Sequence, residues 1–437
     1  MTELGAGIVV LLLIFFYLGI GIWVFVGLIM VAVTVQLFVL GFHVDKIGSI
    51  TARILLRSAS AWELAAIPMF IWMGDIIFRT DISNRLFSGL APMVDRIPGR
   101  LLHTNIIGCT LFAAVSGSST ATTVTVGKIS LEELSRRHYD QTIAVGSLAG
   151  AGSLGLLIPP SIVMIVYGIL AEVSIIALFT AGILPGLMIA ALYSTFIAVR
   201  TSVIPAIAAD APVERMRPVA WRDFGNLMPV LLLVFIVLGS IYSGLATPSE
   251  AAAIGVAATL IMTAVIGQLN FRLFTESLMS AVKMSAMVVS LVLAAALLST
   301  TMGYLHLPQS VAALIAGLEL SPYALIAMLS LFYILLGLCL EGISITVMTL
   351  PITLPLILQA GFDPLWFGIF LILMVELATI TPPVGFNLFV LQGLTKMSIG
   401  QIAKAAFPFF LLLCLGVILL TAFPQIALWL PEQVTGR

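Results

Sequence analysis

Long apolar stretches separated by short polar turns run through most of this 437-residue chain. Each stretch is close to the roughly 20 residues that a helix needs to cross a bilayer, so the pattern predicts transmembrane helices rather than a barrel. We predict ten full spans, five in each half of the chain. They lie near residues 7–20, 23–41, 61–79, 142–170 and 174–199, and near residues 228–244, 247–267, 283–303, 365–393 and 406–430.

Two kinds of polar interruption occur inside the apolar stretches, and each kind occurs twice. The interrupted stretches are AVSGSSTATT (114–123), LEGISITVMT (340–349), LLIPPSIVMIVYG (156–168) and ATITPPVGFNLFVLQG (378–393). Gly117 precedes Pro159 by 42 positions, and Gly342 precedes Pro382 by 40. This matched order and spacing predicts an internal repeat.

The repeat must be inverted. Laying residues 1–200 on residues 224–430 reproduces the order of features, and five spans in each repeat is an odd number. The stretches around Gly117 and Gly342 are left over, and we predict that each forms a re-entrant hairpin. The predicted organisation is repeat 1 at 1–200 (scaffold helices 1–60, hairpin 100–135, broken helix 142–170), a cytoplasmic linker at 201–223, and repeat 2 at 224–437 (scaffold helices 228–267, hairpin 323–360, broken helix 365–393).

Basic residues indicate which side of the membrane each segment faces. Arg96 and Arg100 precede the first hairpin and Arg136 follows it, so both of its ends should be cytoplasmic. The second hairpin, flanked by Glu319 and Asp363, should enter from the opposite face. We therefore predict that the N- and C-termini are periplasmic.

Four basic residues disagree with that topology. The chain has 19 Lys and Arg residues. Placing both termini in the periplasm puts all but four of them on the cytoplasmic side. The exceptions are Lys46, Arg53, Arg57 and Arg437. Three of them lie in HVDKIGSITARILLRSAS, where apolar and basic residues alternate at helical spacing. This segment predicts an interfacial helix that holds its cations by snorkelling.

Composition narrows the class of protein. With 61% hydrophobic and 9% charged residues, the chain cannot cover a water-facing surface, so we predict an all-α integral membrane protein surrounded by membrane lipid. A net charge of −1 without a polybasic tract gives no reason to expect a nucleic-acid partner. Cys109, Cys339 and Cys414 lie in apolar segments and are expected to be packing residues. The sequence has no Walker motif, metal-ligand cluster or activated nucleophile, which argues against an enzyme and for an ion gradient as the energy source.

The interruptions predict a binding site, because irregular backbone at membrane depth survives only when it is buried in protein or lines a wet cavity. Half-helices should restart near Ser119, Pro160, Ser344 and Pro383. Their N termini carry partial positive charge and free N–H groups, which favour an anion. The carbonyls before each break, with nearby hydroxyls, make a hard-oxygen site suited to sodium. Asn387 is the preferred polar contact to substrate from the second repeat.

Each interruption alone has a simpler interpretation. Small residues commonly serve close helix packing, and a Pro-Pro pair can mark a kink. The repetition of both at matched spacing, in oppositely oriented halves, favours the binding site.

The acidic residues of the apolar stretches fall into two groups according to their predicted depth in the membrane. Thr247 and Glu250 fit a capping box that begins a helix, so Glu250 is expected to be structural. Glu341 and Glu376 lie deeper, where ionisable residues indicate function. For Glu376 two roles stay open, which are support of the second break and coupling to a cation.

Five ordered motifs together resemble the large membrane subunit of TRAP transporters, the tripartite ATP-independent periplasmic carriers. They are IPMFIWMGDII, VSGSSTATT, LGLLIPPS, ATPSEAAAIG and ITPPVGFNLFVLQG, and the resemblance covers nearly the whole chain. It implies an elevator-type fold of the ion-transporter superfamily in the bacterial cytoplasmic (inner) membrane. It also implies sodium-driven uptake of organic acids such as C4-dicarboxylates or sialic acids, a small four-helix membrane subunit (Q-type) and a periplasmic solute-binding protein (P-type).

The resemblance also implies which residues form the site. Glu341 stands where the family pattern leads one to expect aspartate. The residues expected to contact substrate are Ser118, Ser119, Thr122, Pro160, Ser161 and Asn387. The residues expected to hold sodium are Ser116, Gly117, Ser118, Gly155, Gly342, Ser344, Thr346, Thr379, Thr381 and Gly385.

Two other classes of transport protein share these features. A two-component sodium/carboxylate symporter would have the same inverted hairpins but would work without a binding protein. A channel would also place half-helices at mid-membrane, but would conduct far faster than a carrier.

Overall fold

The computed structural model describes residues 3–204, 221–310, 313, 321–338, 340–381 and 385–435, and their regular structure is helical throughout. The first repeat contains α1 (Glu3–Gly19), α2 (Val24–Phe38), α3 (Val44–Ala59), a 3-10 turn (Trp62–Ala65), α4 (Ala66–Phe78), α5 (Ile82–Val94), α6 (Leu102–Ser116), α7 (Ser119–Arg136), α8 (Gln141–Gly152), α9 (Ile162–Ala171) and α10 (Ile175–Val203). The second contains α11 (Trp221–Tyr242), α12 (Pro248–Val265), α13 (Phe271–Tyr304), α14 (Pro322–Gly337), α15 (Gly342–Gln359), α16 (Pro364–Thr379), α17 (Phe386–Leu394), α18 (Ile399–Ala422) and α19 (Gln425–Thr435).

The contacts between the repeats are reciprocal. Helix α2 of the first repeat packs along α13 of the second, and α12 of the second packs along α4 of the first. Helices α4 and α13 run antiparallel, since Arg79 at the end of α4 pairs with Glu276 near the start of α13, Nη1 to Oε2, at 3.1 Å. A pseudo-two-fold axis between inverted repeats produces this exchange. The predicted class, an all-α membrane protein of two inverted repeats, is therefore the observed fold.

One stretch differs between the repeats. Residues 44–78 form α3 and α4, which are bent by 59° around the 3-10 turn. The matching stretch of the second repeat is the continuous 34-residue helix α13. The predicted interfacial segment is thus a separate helix, α3, set at an angle to the span that follows it.

The predicted spans need several corrections. By length and composition, six helices among the described residues can cross a membrane, or seven if α3 and α4 count as one bent span. Helices α1 and α2, of 17 and 15 residues, are shorter than the usual span. Helix α15 is by itself long and apolar enough to cross a membrane, although we predicted it as one arm of a hairpin.

The span predicted near residues 406–430 is present, but it lies earlier in the chain, at Ile399–Ala422. Helix α18 ends at Ala422 and α19 begins at Gln425. Phe423 leaves the helical region because Pro424 follows it, and a residue before proline is disfavoured in the α conformation. The predicted linker is also shorter than 201–223, since α10 runs to Val203 and α11 starts at Trp221, and its middle, 205–220, lies outside the described residues.

Two local predictions have clear outcomes. The capping box at the start of α12 is confirmed, because the Thr247 hydroxyl accepts from the Glu250 N–H while the Glu250 carboxylate accepts from the Thr247 N–H. Cys109 is a buried free thiol in α6 and Cys414 a partly buried one in α18, as packing residues would be, and Cys339 lies outside the described residues.

The core lies in the broken helices. Every residue of α8 from Ile143 to Gly152 and of α16 from Trp366 to Thr379 is buried. Helices α7 and α15, which follow the two hairpin turns, pack against them. The interrupted segments therefore occupy the interior of the molecule, whereas α1 and α11 present large apolar side chains outward, including Phe15 and Phe235.

Candidate functional site

The first hairpin, α6 and α7, turns at the predicted position. Gly117 closes α6 with φ +59°, a left-handed conformation that glycine adopts readily. Ser118 then caps α7, its hydroxyl accepting from the Ala121 N–H at 3.4 Å. A Cβ on Gly117 would lie 2.8 Å from the Pro160 carbonyl oxygen. Glycine is required here both for the turn and for the close approach of the first broken helix.

The first broken helix, α8 and α9, opens over a longer segment than we predicted. Helix α8 ends at Gly152 and α9 begins at Ile162, so the restart is two residues after the predicted Pro160. Ser161 is the cap, accepting from the Met164 N–H at 3.4 Å. A Cβ on Gly155 would lie 2.4 Å from the Ser119 Cα. The broken backbone therefore touches the hairpin turn directly.

The second hairpin, α14 and α15, turns beside the second broken helix. Helix α15 begins at Gly342, two residues before the predicted Ser344, with Glu341 as its N-cap residue. The Ser344 hydroxyl donates to the Glu341 carboxylate at 3.4 Å, and the Thr346 hydroxyl donates to the Gly342 carbonyl at 3.0 Å. A Cβ on Gly342 would lie 2.4 Å from Cγ1 of Val375 in α16.

The second broken helix, α16 and α17, is interrupted after Thr379 and resumes at Phe386. The predicted restart at Pro383 lies, with Pro382 and Val384, outside the described residues. The Gly385 N–H donates to the Thr381 carbonyl at 3.0 Å, and a Cβ on Gly385 would lie 2.7 Å from the Thr379 carbonyl oxygen. Glycine thus lets the chain fold back over the carbonyl end of α16.

Glu376 joins segments from both repeats. It lies in α16 and is fully buried. Its Oε1 accepts a hydrogen bond from the Ser119 hydroxyl at the start of α7 and another, at 2.7 Å, from the main-chain N–H of Leu156 in the first break. The described part of the chain places no Lys, Arg or His in an ion pair with it. Hydrogen bonds and the positive end of α7 therefore offset the cost of burying this carboxyl group.

Of the two roles that we left open for Glu376, the contacts agree with support of the second break and extend that support to the first break and the first hairpin turn. On the other side, the Thr379 hydroxyl lies 3.4 Å from Glu376 Oε2 and donates to the Glu376 carbonyl at 2.7 Å. Asn387 Nδ2 donates to the same Thr379 hydroxyl at 3.3 Å. Glu376 is thus the centre of a polar network that links three of the four interrupted segments.

Asn387 has unused hydrogen-bonding capacity. Its side chain is fully buried, and its Oδ1 has no hydrogen-bond partner within the described structure. Buried amide oxygens are normally paired, so an orphaned acceptor beside Thr379 indicates a place for a donor or a cation.

Leu156 connects the two hairpin turns, through Glu376 to the first turn and by direct contact with Gly342 to the second. Its N–H donates to Glu376, and its Cδ1 would lie 3.5 Å from a Cβ on Gly342. The packing is again reciprocal, because α7 contacts α8 and α17 while α15 contacts α16 and α9. Each hairpin therefore holds the first half of the broken helix in its own repeat and the second half of the other.

The cleft between the described residues of the second hairpin turn and the second break is small. Its volume is about 30 Å³, and it is lined by Glu341, Gly342, Val375, Thr379 and Phe386 among others. That volume holds one or two waters or a bare ion, but not an organic acid. The hairpin turns are thus closed against the broken helices.

The structure sorts the expected site residues into two groups. Those near the first hairpin turn and Glu376 are Ser116, Gly117, Ser118, Ser119, Thr122, Gly155, Pro160, Ser161, Thr379 and Asn387. Those near the second turn and the second break are Glu341, Gly342, Ser344, Thr346, Thr381 and Gly385. The sequence did not indicate the Leu156 N–H, because every residue except proline carries that group.

The whole chain resembles one family of proteins. Residues 9–426 match the family model described as Tripartite ATP-independent periplasmic transporter, DctM component. The C4-dicarboxylate TRAP transporter large permease protein DctM of Pseudomonas aeruginosa is 33% identical over 399 residues, covering 91% of this chain and 92% of the relative. The sialic acid TRAP transporter large permease protein SiaM of Vibrio cholerae is 28% identical over 388 residues, covering 88% and 90%.

Two further comparisons bear on organisation and fold. The isethionate TRAP transporter permease protein DctMQ of Oleidesulfovibrio alaskensis is 32% identical over 376 residues, which cover 85% of this chain but 58% of that relative. Among solved structures, the Alcanivorax borkumensis YdaH transporter superposes with a TM-score of 0.60 at 16% identity, over 87% of each chain. At that identity the likeness concerns the fold alone.

Proposed function

Because this chain belongs to the DctM component family of TRAP transporters, we propose that it takes up an organic acid anion by sodium-coupled secondary transport across the bacterial cytoplasmic membrane. Relatives carry the names of C4-dicarboxylate, sialic acid and isethionate transporters, and the substrate that we propose is an organic acid anion of the C4-dicarboxylate or sialic acid kind. The observation that carries the proposal is the buried polar network at Glu376, where interrupted segments of both repeats meet. Uptake of a labelled organic acid by the reconstituted protein under an imposed sodium gradient tests it.

The available ligands suit sodium. Within the described residues, no group of three or more His, Cys, Asp and Glu side chains could hold a metal ion, so the oxygens on offer are hydroxyls, amides and main-chain carbonyls beside the single carboxylates of Glu341 and Glu376. Such oxygens at helix breaks coordinate sodium in carriers with inverted repeats. The unpaired Oδ1 of Asn387 and the carbonyls of Thr379 and Thr381 are among them. The N termini of α7, α9 and α15 then remain for the substrate carboxylate.

An elevator motion, in which one group of helices moves against the others, fits the way the helices pack. The two hairpins and the two broken helices form an inner group through contacts of α7 and α15 with α8, α9, α16 and α17, while α1 with α2 and α11 with α12 form two outer pairs. We propose that the inner group moves as one body against the outer pairs and carries the bound anion with it.

Membership of the TRAP family leads us to propose two partner proteins. A small membrane subunit and a periplasmic solute-binding protein would work with this chain. The isethionate relative supports the first, because 42% of its length lies outside the match to this chain and its name joins M and Q. Uptake by the chain and its small subunit without any binding protein would instead favour a two-component sodium/carboxylate symporter.

We expect Ser118→Ala to raise the sodium concentration that gives half-maximal uptake by several-fold. The substitution removes a hydroxyl oxygen at the first hairpin turn and the cap of α7, which is worth about 1 kcal/mol. Uptake by proteoliposomes is measured over a series of sodium concentrations. Thr110→Val is the matched control, since the Thr110 hydroxyl donates to its own helix at the Ile106 carbonyl. Equal sodium responses in Ser118→Ala and the parent protein would remove Ser118 from the cation site.

We expect a cysteine at Ser135 to react with a thiol reagent from the cytoplasm and one at Gln359 to react from the periplasm. Both residues are exposed at the ends of the second hairpin arms, α7 and α15, and the two hairpins should enter from opposite faces. Asp363 also flanks the second hairpin, but it is less suitable for labelling because its carboxylate caps α16. Labelling of intact cells against inverted vesicles is the measurement. Labelling of both positions from the same side would contradict the inverted topology of the hairpins.

A further inference from the structure

The surface of α3 is divided into two exposed edges. Lys46, Arg53 and Arg57 are exposed, and at 100° per residue they fall within a sector of about 40°. The opposite side of the helix carries exposed Val44 and Ala59 and half-buried Leu55. Exposed Leu56 lies at the margin of this apolar edge, about 60° from Arg53 and beside exposed Asp45. Val44 is 72% exposed and Leu56 69%. A basic edge and an apolar edge therefore flank the side of α3 that packs on the protein.

The side of α3 that packs on the protein is narrow. Ile47 is its buried residue, and Ile54 and Ser58 are half-buried on the same side. Trp62, directly after the helix, is 65% exposed. Since α3 is bent by 59° from the span that follows, it runs across the end of that span rather than along it.

The three cations of α3 have no carboxylate partner in the described structure. By contrast, other exposed arginines are paired, such as Arg136 with Glu133 at 2.7 Å and Arg272 with Glu276 at 2.7 Å. The Lys46 ammonium instead lies 3.4 Å from the centre of the Phe42 ring. A basic edge without internal partners leaves its charge available to an external anion.

We propose that α3 lies in the membrane interface and binds the phosphates of anionic phospholipids with Lys46, Arg53 and Arg57. A lipid surface matches both edges, because headgroup phosphates meet the cations while the acyl boundary accepts Val44 and Leu56. An acidic protein surface would match the cations alone and would leave the apolar edge in water. The binding also gives the three basic residues that disagree with the charge rule an energetic reason to lie where they do.

Lipid retention tests the proposal on the full chain. The protein is placed in bilayers of phosphatidylcholine with increasing phosphatidylglycerol, and the phosphatidylglycerol that stays bound is measured by mass spectrometry. Each cation removed should weaken this binding by about fivefold. The triple variant Lys46→Gln/Arg53→Gln/Arg57→Gln should therefore lose most of it, and added salt should weaken the parent protein's binding. The control Arg136→Gln/Arg272→Gln removes exposed but paired arginines and should retain it.

Spin labels test the orientation independently of any transport assay. A label at Ala59 on the apolar edge should be accessible to oxygen dissolved in the bilayer. A label at exposed Ser60, which follows α3 on the side of the basic edge, should be accessible to a water-soluble relaxation agent. Aqueous accessibility at both positions would overturn the proposal. So would a triple variant that keeps its phosphatidylglycerol but no longer binds a purified solute-binding protein, since α3 would then be a protein-docking surface.

Discussion

Glu376→Ala is expected to abolish uptake and to destabilise the inner group of helices, whereas Glu376→Gln should retain the fold and part of the uptake. Alanine leaves the Ser119 hydroxyl and the Leu156 N–H without an acceptor in a fully buried site. Each unpaired buried donor costs about 1–3 kcal/mol, so the total loss is several kcal/mol before the cavity is counted. Glutamine keeps an oxygen in place for both donors.

Thermal unfolding in detergent and uptake by proteoliposomes provide the two measurements for Glu376. Glu132→Ala is the control, because Glu132 is an exposed carboxylate on α7. If Glu376→Gln is folded like the parent protein but as inactive as alanine, then the negative charge of Glu376 is needed for transport. In that case coupling to a cation, rather than support of the first hairpin turn, is its main role.

Ser119→Asp is expected to abolish uptake, and Ser119→Asn to retain part of it. The Ser119 hydroxyl donates to Glu376, so aspartate would bring two carboxylates together in a buried site. If both carboxyl groups are ionised, their repulsion at 4 Å and an effective dielectric constant of about 20 is about 4 kcal/mol. Asparagine keeps a neutral side chain that can donate to Glu376 and occupy the first turn of α7.

A double variant separates two explanations for the effect of Ser119→Asp. If repulsion by Glu376 causes the loss, Ser119→Asp/Glu376→Gln should recover folding and part of the uptake. If aspartate acts by expelling the substrate anion, the double variant should be as inactive as the single one. Full uptake by Ser119→Asp alone would show that the start of α7 contributes neither to the anion site nor to the contact with Glu376.

The closed hairpin turns give these predictions a structural basis. The Ser119 hydroxyl donates to Glu376 of the second repeat, and the Gly342 backbone lies against Leu156 of the first, so neither turn can open without breaking contacts on the other repeat. Glu376 stands where these contacts converge. A change at this residue should therefore affect both hairpins, although it belongs to a broken helix.

The sequence by itself determined the class of protein, the two inverted repeats and the positions of the four interruptions. These features are local, because apolar runs, Gly117 in a left-handed turn and proline pairs act through their own stretch of backbone. The capping box at Thr247 is local in the same way. For this reason they could be predicted without any knowledge of what packs against them.

Tertiary structure alone decided the partners of the interrupted segments. Ser119 and Glu376 are 257 positions apart, and Leu156 and Glu376 are 220 apart. No periodicity or spacing connects such residues, since their contact depends on how the two repeats are packed. Local patterns therefore placed the breaks in the helices, while packing between the repeats decided what fills them.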